Sequence, residues 1–202
     1  MANFNLDVTL KKSLEEFKSK RAEDMAWKTG TEYRDGKFSL TFLNLPVEVT
    51  YPEGVVVNKI TGEEIGLIER ILILHYFTHS GGSPILNKNI TFKELPGGNI
   101  YIDPFSNRCI RPLIHVFGKD LDRFRSAGEK FGGEKQAFGD ISFRFYPLPR
   151  IPVTFVLWGE DEEFPPNANI ILDESASDYL PTEDYAFLCG MLFGKLKGCL
   201  SK

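Results

Sequence analysis

The sequence predicts an α+β fold: a mainly antiparallel sheet of about four to six strands with helices packed on it. Runs that alternate apolar and polar residues come in closely spaced pairs, as the two arms of a hairpin do. Helical stretches fall between those pairs without the steady β-α-β alternation of a doubly wound sheet. The 202 residues carry no internal repeat and no linker, so residues 1–202 are expected to form one domain, with the N-terminal helix at its periphery. A chain of this length buries a sizeable core without staples, and 17 phenylalanines are on hand to fill it.

Leu10, Leu14 and Phe17, set among lysines and glutamates, give helical spacing over about residues 6–27, closed by Gly30. Phe38, Leu40 and Phe42 then alternate with polar partners. Val47, Val49 and Tyr51 do the same beyond a break at Asn44–Pro46, which predicts a hairpin. A strongly apolar helix follows from about Glu63 to His79, stopped by Ser80-Gly81-Gly82. Ile90 and Phe92, then Ile100 and Ile102, lie on either side of Pro96-Gly97-Gly98 and suggest a second hairpin. Residues 112–131 hold one helix or two, with a break near Gly118.

Ile141, Phe143 and Phe145, then Val153, Phe155 and Leu157, give two further strands. Pro147, Pro149 and Pro152 cannot donate to a ladder and belong to the connection or an edge. The runs at 38–42, 47–51, 141–146 and 153–158 are expected to share one sheet with their phenylalanine-rich faces inward. The last helix begins near Thr182, an expected N-cap with Glu183 and Asp184 in the first turn.

Composition narrows the function. A net charge of −4 does not favour a broad nucleic-acid face. Cys109, Cys189 and Cys199 make no CxxC pair, which argues for a reducing compartment and against a zinc knuckle or an iron–sulfur cluster held by this chain. The start, MANFNLDVTLKK, lacks the apolar run and basic leader of a signal peptide. The longest apolar run, around Ile71–Leu74, is too short to span a bilayer. A cytoplasmic protein without membrane or nucleic-acid partners is expected.

Four patterns could carry chemistry. His75 and His79 stand at i, i+4, within about 40° on one helix face. They share that face with Ile68 and Leu72, so both imidazoles are expected to be buried. Such a pair can hold a metal ion or act catalytically, or it can be two hydrogen-bonded core histidines; no Glu stands between them as in a zinc protease. The segment 160–184 holds nine acidic residues and no lysine or arginine, which suits a solvated rim or a face for a basic partner. Within it, Asp173 and Glu174 are candidate metal ligands beside the histidines.

Arg108 and Arg111 precede a helix expected to start at Pro112, with His115 and Lys119 further on. Together with free first-turn amides they could cradle a small anionic ligand, a carboxylate or a phosphate. Gly190, Gly194 and Gly198 form a stripe on the last helix, opposite Tyr185, Leu188, Leu192 and Leu196. Each interior glycine costs about 1 kcal/mol against alanine. The stripe therefore predicts a close contact, inside the chain or between the subunits of a homodimer.

Several segments together resemble domain of unknown function family 3786. They are Ile68-Glu69-Arg70-Ile71-Leu72-Ile73-Leu74-His75-Tyr76, Phe92-Lys93-Glu94-Leu95-Pro96-Gly97-Gly98, Val156-Leu157-Trp158 through Asn169, and Asp173-Glu174-Ser175-Ala176-Ser177 leading into Tyr179–Asp184. The resemblance implies a protein of anaerobic bacteria or archaea, some of whose relatives are fused to iron–sulfur modules; it carries no catalytic residues over. The leading expectation is a ligand-binding or accessory protein serving anaerobic iron–sulfur or corrinoid-dependent metabolism. The alternatives are an enzyme using His75 and His79 with a metal ion, and a structural dimeric subunit. Neither a cofactor nor a reaction is assigned.

Overall fold

The computed structural model describes residues 6–201. Residues 1–5 of the polar start lie outside the described residues. The chain divides into two compact units. The first comprises Met1–Pro84, Leu148–Arg150 and Asp178–Pro181; the second comprises Ile85–Pro147, Ile151–Ser177 and Thr182–Lys202.

The first unit contains α1 (Leu6–Ser19), α2 (Ala22–Thr29), β1 (Glu32–Arg34), β2 (Lys37–Phe42), β3 (Leu45–Thr50), β4 (Val56–Asn58) and α3 (Leu67–His79). Its four strands form an antiparallel sheet in chain order. The hairpin expected from alternation is β2–β3, with Phe38 opposite Val49 and Leu40 opposite Val47. Two residues make its turn, Leu43 at φ 48° and Asn44 at φ 63°. Both are left-handed, as the tight turn that matches strand twist requires. The single helix expected over 6–27 is two helices, and Gly30 caps the second in the left-handed region.

Aromatic rings make the core of this unit. Phe17 on α1 and Phe77 on α3 sit 5.6 Å apart, and Phe77 lies 4.4 Å from Phe38 on the sheet. Buried Tyr76 donates its hydroxyl to the Thr29 carbonyl at 2.7 Å and accepts from the Arg150 amide at 3.1 Å. One phenol thus satisfies two polar backbone groups that would be costly to bury alone.

The second unit contains β5 (Asn89–Thr91), a 3-10 turn (Phe92–Glu94), α4 (Gly98–Phe105), a π-helical turn (Ser106–Ile110), α5 (Arg111–Phe117) and α6 (Leu121–Lys130). Then come β6 (Glu134–Gln136), β7 (Ile141–Leu148), β8 (Ile151–Trp158), β9 (Asn167–Asp173) and α7 (Thr182–Gly198). The strands lie in the order β5-β9-β8-β7-β6, with β9 antiparallel to both neighbours and β6 antiparallel to β7.

Phe143 and Phe145 are buried as the alternation predicts. Phe124 of α6 meets Phe143 edge-on at 5.5 Å, and Gly128 admits that ring where a Cβ would stand 2.6 Å away. Tyr185, Leu188, Leu192 and Leu196 bury the inner face of α7. The break near Gly118 separates α5 from α6.

Three expectations are corrected. The four alternating runs do not share a sheet: β2 and β3 belong to the four-stranded sheet, β7 and β8 to the five-stranded one. Residues 89–102 are not a hairpin. Thr91 and Glu94 close a capping box, with the Glu94 carboxylate accepting from the Thr91 amide at 2.6 Å, which turns the chain before a second strand can form. Ile100 and Ile102 then lie on α4. Pro149 lies between β7 and β8, but Pro147 and Pro152 stand just inside the strand ends. The α+β class and the antiparallel pairing stand.

Candidate functional site

The helical run across residues 98–117 organises the charged residues of the second unit. It is continuous from α4 through the π turn into α5, because Phe105, Ile110 and Arg111 all keep right-handed helical backbone. The Arg111 amide bonds back to Ser106. The expected helix start at Pro112 is therefore corrected: no new first turn opens there, and an anion would meet side chains rather than free amides. Pro112 is tolerated inside the run because the wider π turn precedes it.

Arg108 and Arg111 part company within this run. The Arg108 guanidinium lies over the Phe187 ring of α7, 4.2 Å from its centroid, a cation–π contact. Its neighbour Cys109 is fully buried and donates to the Ala186 carbonyl at 3.4 Å; burial pushes this thiol up to about 12. Arg111 and His115 instead stand one turn apart on α5, both exposed. With Ile114, Lys119 and Pro166 they line a surface pocket of about 510 Å³.

Gly118 makes that pocket by close approach. A Cβ there would stand 2.8 Å from the Pro166 ring and 2.6 Å from the Ile114 carbonyl. Only hydrogen at this position lets the end of α5 meet the proline. The pocket thus has an apolar floor of Ile114 and Pro166 beneath three side chains that donate hydrogen bonds. Lys119 also lies 3.8 Å from Glu160, but both ends are exposed, so that pair holds neither group firmly.

The histidine pair is placed differently. Its rings are edge-on with centroids 5.2 Å apart. His75 is half-buried and His79 is exposed, which corrects the expectation of two buried imidazoles. The cause is the helix they sit on: Ile71, Leu72, Ile73, Leu74, Tyr76, Phe77 and Thr78 are all buried, so α3 has apolar residues around most of its circumference. The His79 Nδ1 faces the His75 carbonyl and the Thr78 hydroxyl, each at 3.1 Å.

A model of the family described as Domain of unknown function (DUF3786) matches residues 21–195. The chain belongs to this family. No curated protein and no solved structure matched it. Among the described residues of this family member, no helix is long and apolar enough to cross a membrane. Nor do the described residues include a group of three or more His, Cys, Asp or Glu side chains placed to hold a metal ion.

The remaining candidates have structural partners. Asp173 lies buried at the end of β9. Its Oδ1 accepts from the Ser175 hydroxyl at 2.6 Å and from the Leu86 and Ser175 amides at 2.9 and 3.0 Å; its Oδ2 accepts from the Lys88 amide at 3.2 Å. Burial alone would raise this carboxyl, but the hydrogen bonds, led by Ser175, outweigh it and hold it below the ordinary aspartate value. Glu174 pairs with Lys88 at the surface. A Cβ at Gly190 would stand 3.8 Å from Arg108, ordinary contact, and Gly194 is exposed with nothing within 4 Å of a Cβ. The close approach expected of both glycines is thus corrected within the chain.

Pro166 and Ile114 were not singled out from the sequence. The signal was available in part: Gly118 ends a helix between His115 and Lys119, and a glycine there permits approach of something bulky. Its partner, nearly fifty residues on, could not be read from spacing.

Proposed function

We propose that this chain is a binding protein whose second unit takes a small anionic organic ligand in the pocket of Arg111, His115 and Lys119. The observation that carries this is the convergence of those three side chains over an apolar floor of Ile114 and Pro166. A guanidinium grips a carboxylate or phosphate bidentately, and an ammonium adds a point charge. The imidazole donates in either tautomer, and the floor receives the ligand's apolar body. Few, convergent polar groups against an apolar surface are what small-molecule recognition needs.

The family resemblance supports setting this binding role in anaerobic iron–sulfur or corrinoid-dependent metabolism. Three cysteines without a CxxC pair support a reducing cytoplasm as its location.

Hexanoate and inorganic phosphate, titrated separately into ¹⁵N-labelled protein, test the proposal. Saturable shifts confined to the amides of Arg111, Ile114, His115 and Lys119 are expected, with half-saturation below about 10 mM. Hexanoate should bind more tightly than phosphate, because only it covers the floor. No saturable shift with either probe, or shifts centred elsewhere, would overturn it.

A further inference from the structure

On the other side of Pro166 lies a second pocket, of about 540 Å³, with the opposite character. Trp158 at the end of β8 and Phe164 in the following loop line it, and they remain 39% and 64% exposed. Pro165 and Pro166 complete its apolar wall, and Asp140 and Asp161 supply carboxylates. Glu160, Glu162 and Glu163 extend the acidic rim. Large aromatic side chains left at a surface mark a place that something covers.

The loop is held ready rather than loose. The Asp161 Oδ1 accepts from the Glu163 and Phe164 amides at 2.9 and 2.7 Å, and the Asp161 amide donates to the Phe164 carbonyl at 3.1 Å. The Asp140 Oδ2 accepts from the Gly159 amide at 2.8 Å. Each carboxylate therefore uses one oxygen to fix backbone, and its other oxygen has no partner among the described residues. Gly159 and Gly139 let the chain pass close beneath: a Cβ at Gly139 would stand 2.7 Å from the Leu157 carbonyl.

From this geometry we infer that the pocket is a docking site for a basic protein segment, which seats a lysine or arginine side chain between Trp158, Phe164 and the two aspartates. Charge complementarity selects this occupant. A cation is attracted to the face of an aromatic ring, tryptophan most strongly, and to the unpartnered carboxylate oxygens. The methylene stem of the same side chain covers apolar ring surface while its head meets the carboxylates. A peptide backbone running along Pro165 and Pro166 covers what one side chain leaves bare, and the acidic rim steers its approach. Pro166 lines both pockets, but the charged and aromatic side chains of this one, Asp140, Trp158, Asp161 and Phe164, are absent from the anion pocket, so each site can fail without the other.

The chain has two tryptophans, so Trp27→Phe leaves Trp158 as the sole fluorescent reporter. The probe is acetyl-Gly-Arg-Gly-Lys-Gly-amide, with a counterpart in which glutamates replace the basic residues as control. The basic peptide is expected to change the emission saturably and the acidic one not. Asp161→Asn keeps the Oδ1 acceptor that closes the turn but removes the charge, and should weaken binding about fivefold. Phe164→Ser, which leaves the loop's backbone bonds in place, should weaken it similarly, with circular dichroism confirming the fold of both. No saturable change, or equal affinity in both variants and wild type, would overturn the site. Equal binding of free lysine amide and the peptide would overturn the peptide as occupant.

Discussion

The surroundings of Asp173 and those of Arg111 are both rich in charge, and they use it in opposite ways. Asp173 is buried, and both its oxygens accept from the chain's own donors, on Leu86, Lys88 and Ser175. Its charge ties β9 to the segment entering β5. Arg111, His115 and Lys119 are exposed and line a pocket. Charge turned inward on backbone amides holds the fold, while on the proposed function the charge beside the cavity is left for a ligand. Substitutions should therefore separate stability from binding.

The largest effect should come from Asp173→Ala, which strands the buried amide and hydroxyl of Ser175 and the part-buried amides of Leu86 and Lys88. A loss of about 2–4 kcal/mol is expected by urea unfolding. A loss under about 0.5 kcal/mol, as at an ordinary surface site, would break the contrast.

Acid should act through the same carboxyl. Its folded value is depressed, so its contribution is complete above the ordinary aspartate value of 3.8 and fades as pH falls through the folded value. Wild type should lose stability more steeply than Asp173→Asn as pH falls below about 4. Parallel curves would assign the acid sensitivity elsewhere.

Filled and open surroundings also divide the glycines. Gly194 is helical, exposed and unopposed, so Gly194→Ala should stabilise by about 0.5–1 kcal/mol. Destabilisation with a fall in sedimenting mass would instead place Gly194 in a subunit contact and revive the dimeric reading. The smallest effect on stability belongs to Arg111→Gln, within about 0.5 kcal/mol, because its side chain is exposed. A larger loss would mean that Arg111 holds the fold as Asp173 does.

Local chemistry was legible in the sequence. Alternation placed β2 and β3, and Leu43-Asn44 could close their turn because asparagine tolerates a left-handed backbone. Phe143 and Phe145 faced inward as their period demanded, and the helix break near Gly118 was placed. What escaped was non-local. Period-2 alternation tells a strand which face is buried but not which strand pairs with it, so two sheets were read as one. Ile100 and Ile102 alternate over too short a stretch to tell strand from helix, and the Thr91–Glu94 box decided the matter.

The histidines were misplaced because α3 is apolar around most of its circumference, which leaves its phase without a polar face to fix it. Arg108 and Arg111 were grouped by proximity in sequence. The π turn between α4 and α5 inserts an extra residue per turn and sends Arg108 toward Phe187 instead. His115 follows Arg111 by one turn of α5, and Lys119, past the end of that helix, lines the same pocket.

Hexanoate affinity, compared by calorimetry across wild type, Arg111→Gln and His79→Gln, tests the central claim most directly. Both substitutions replace an exposed donor within an i, i+4 pair, but only Arg111 faces the pocket over Ile114 and Pro166. The account predicts that Arg111→Gln weakens binding by about tenfold or more, the loss of one charge-assisted bond, and that His79→Gln binds as wild type does. Wild-type affinity in Arg111→Gln, or a comparable loss in His79→Gln, would contradict it.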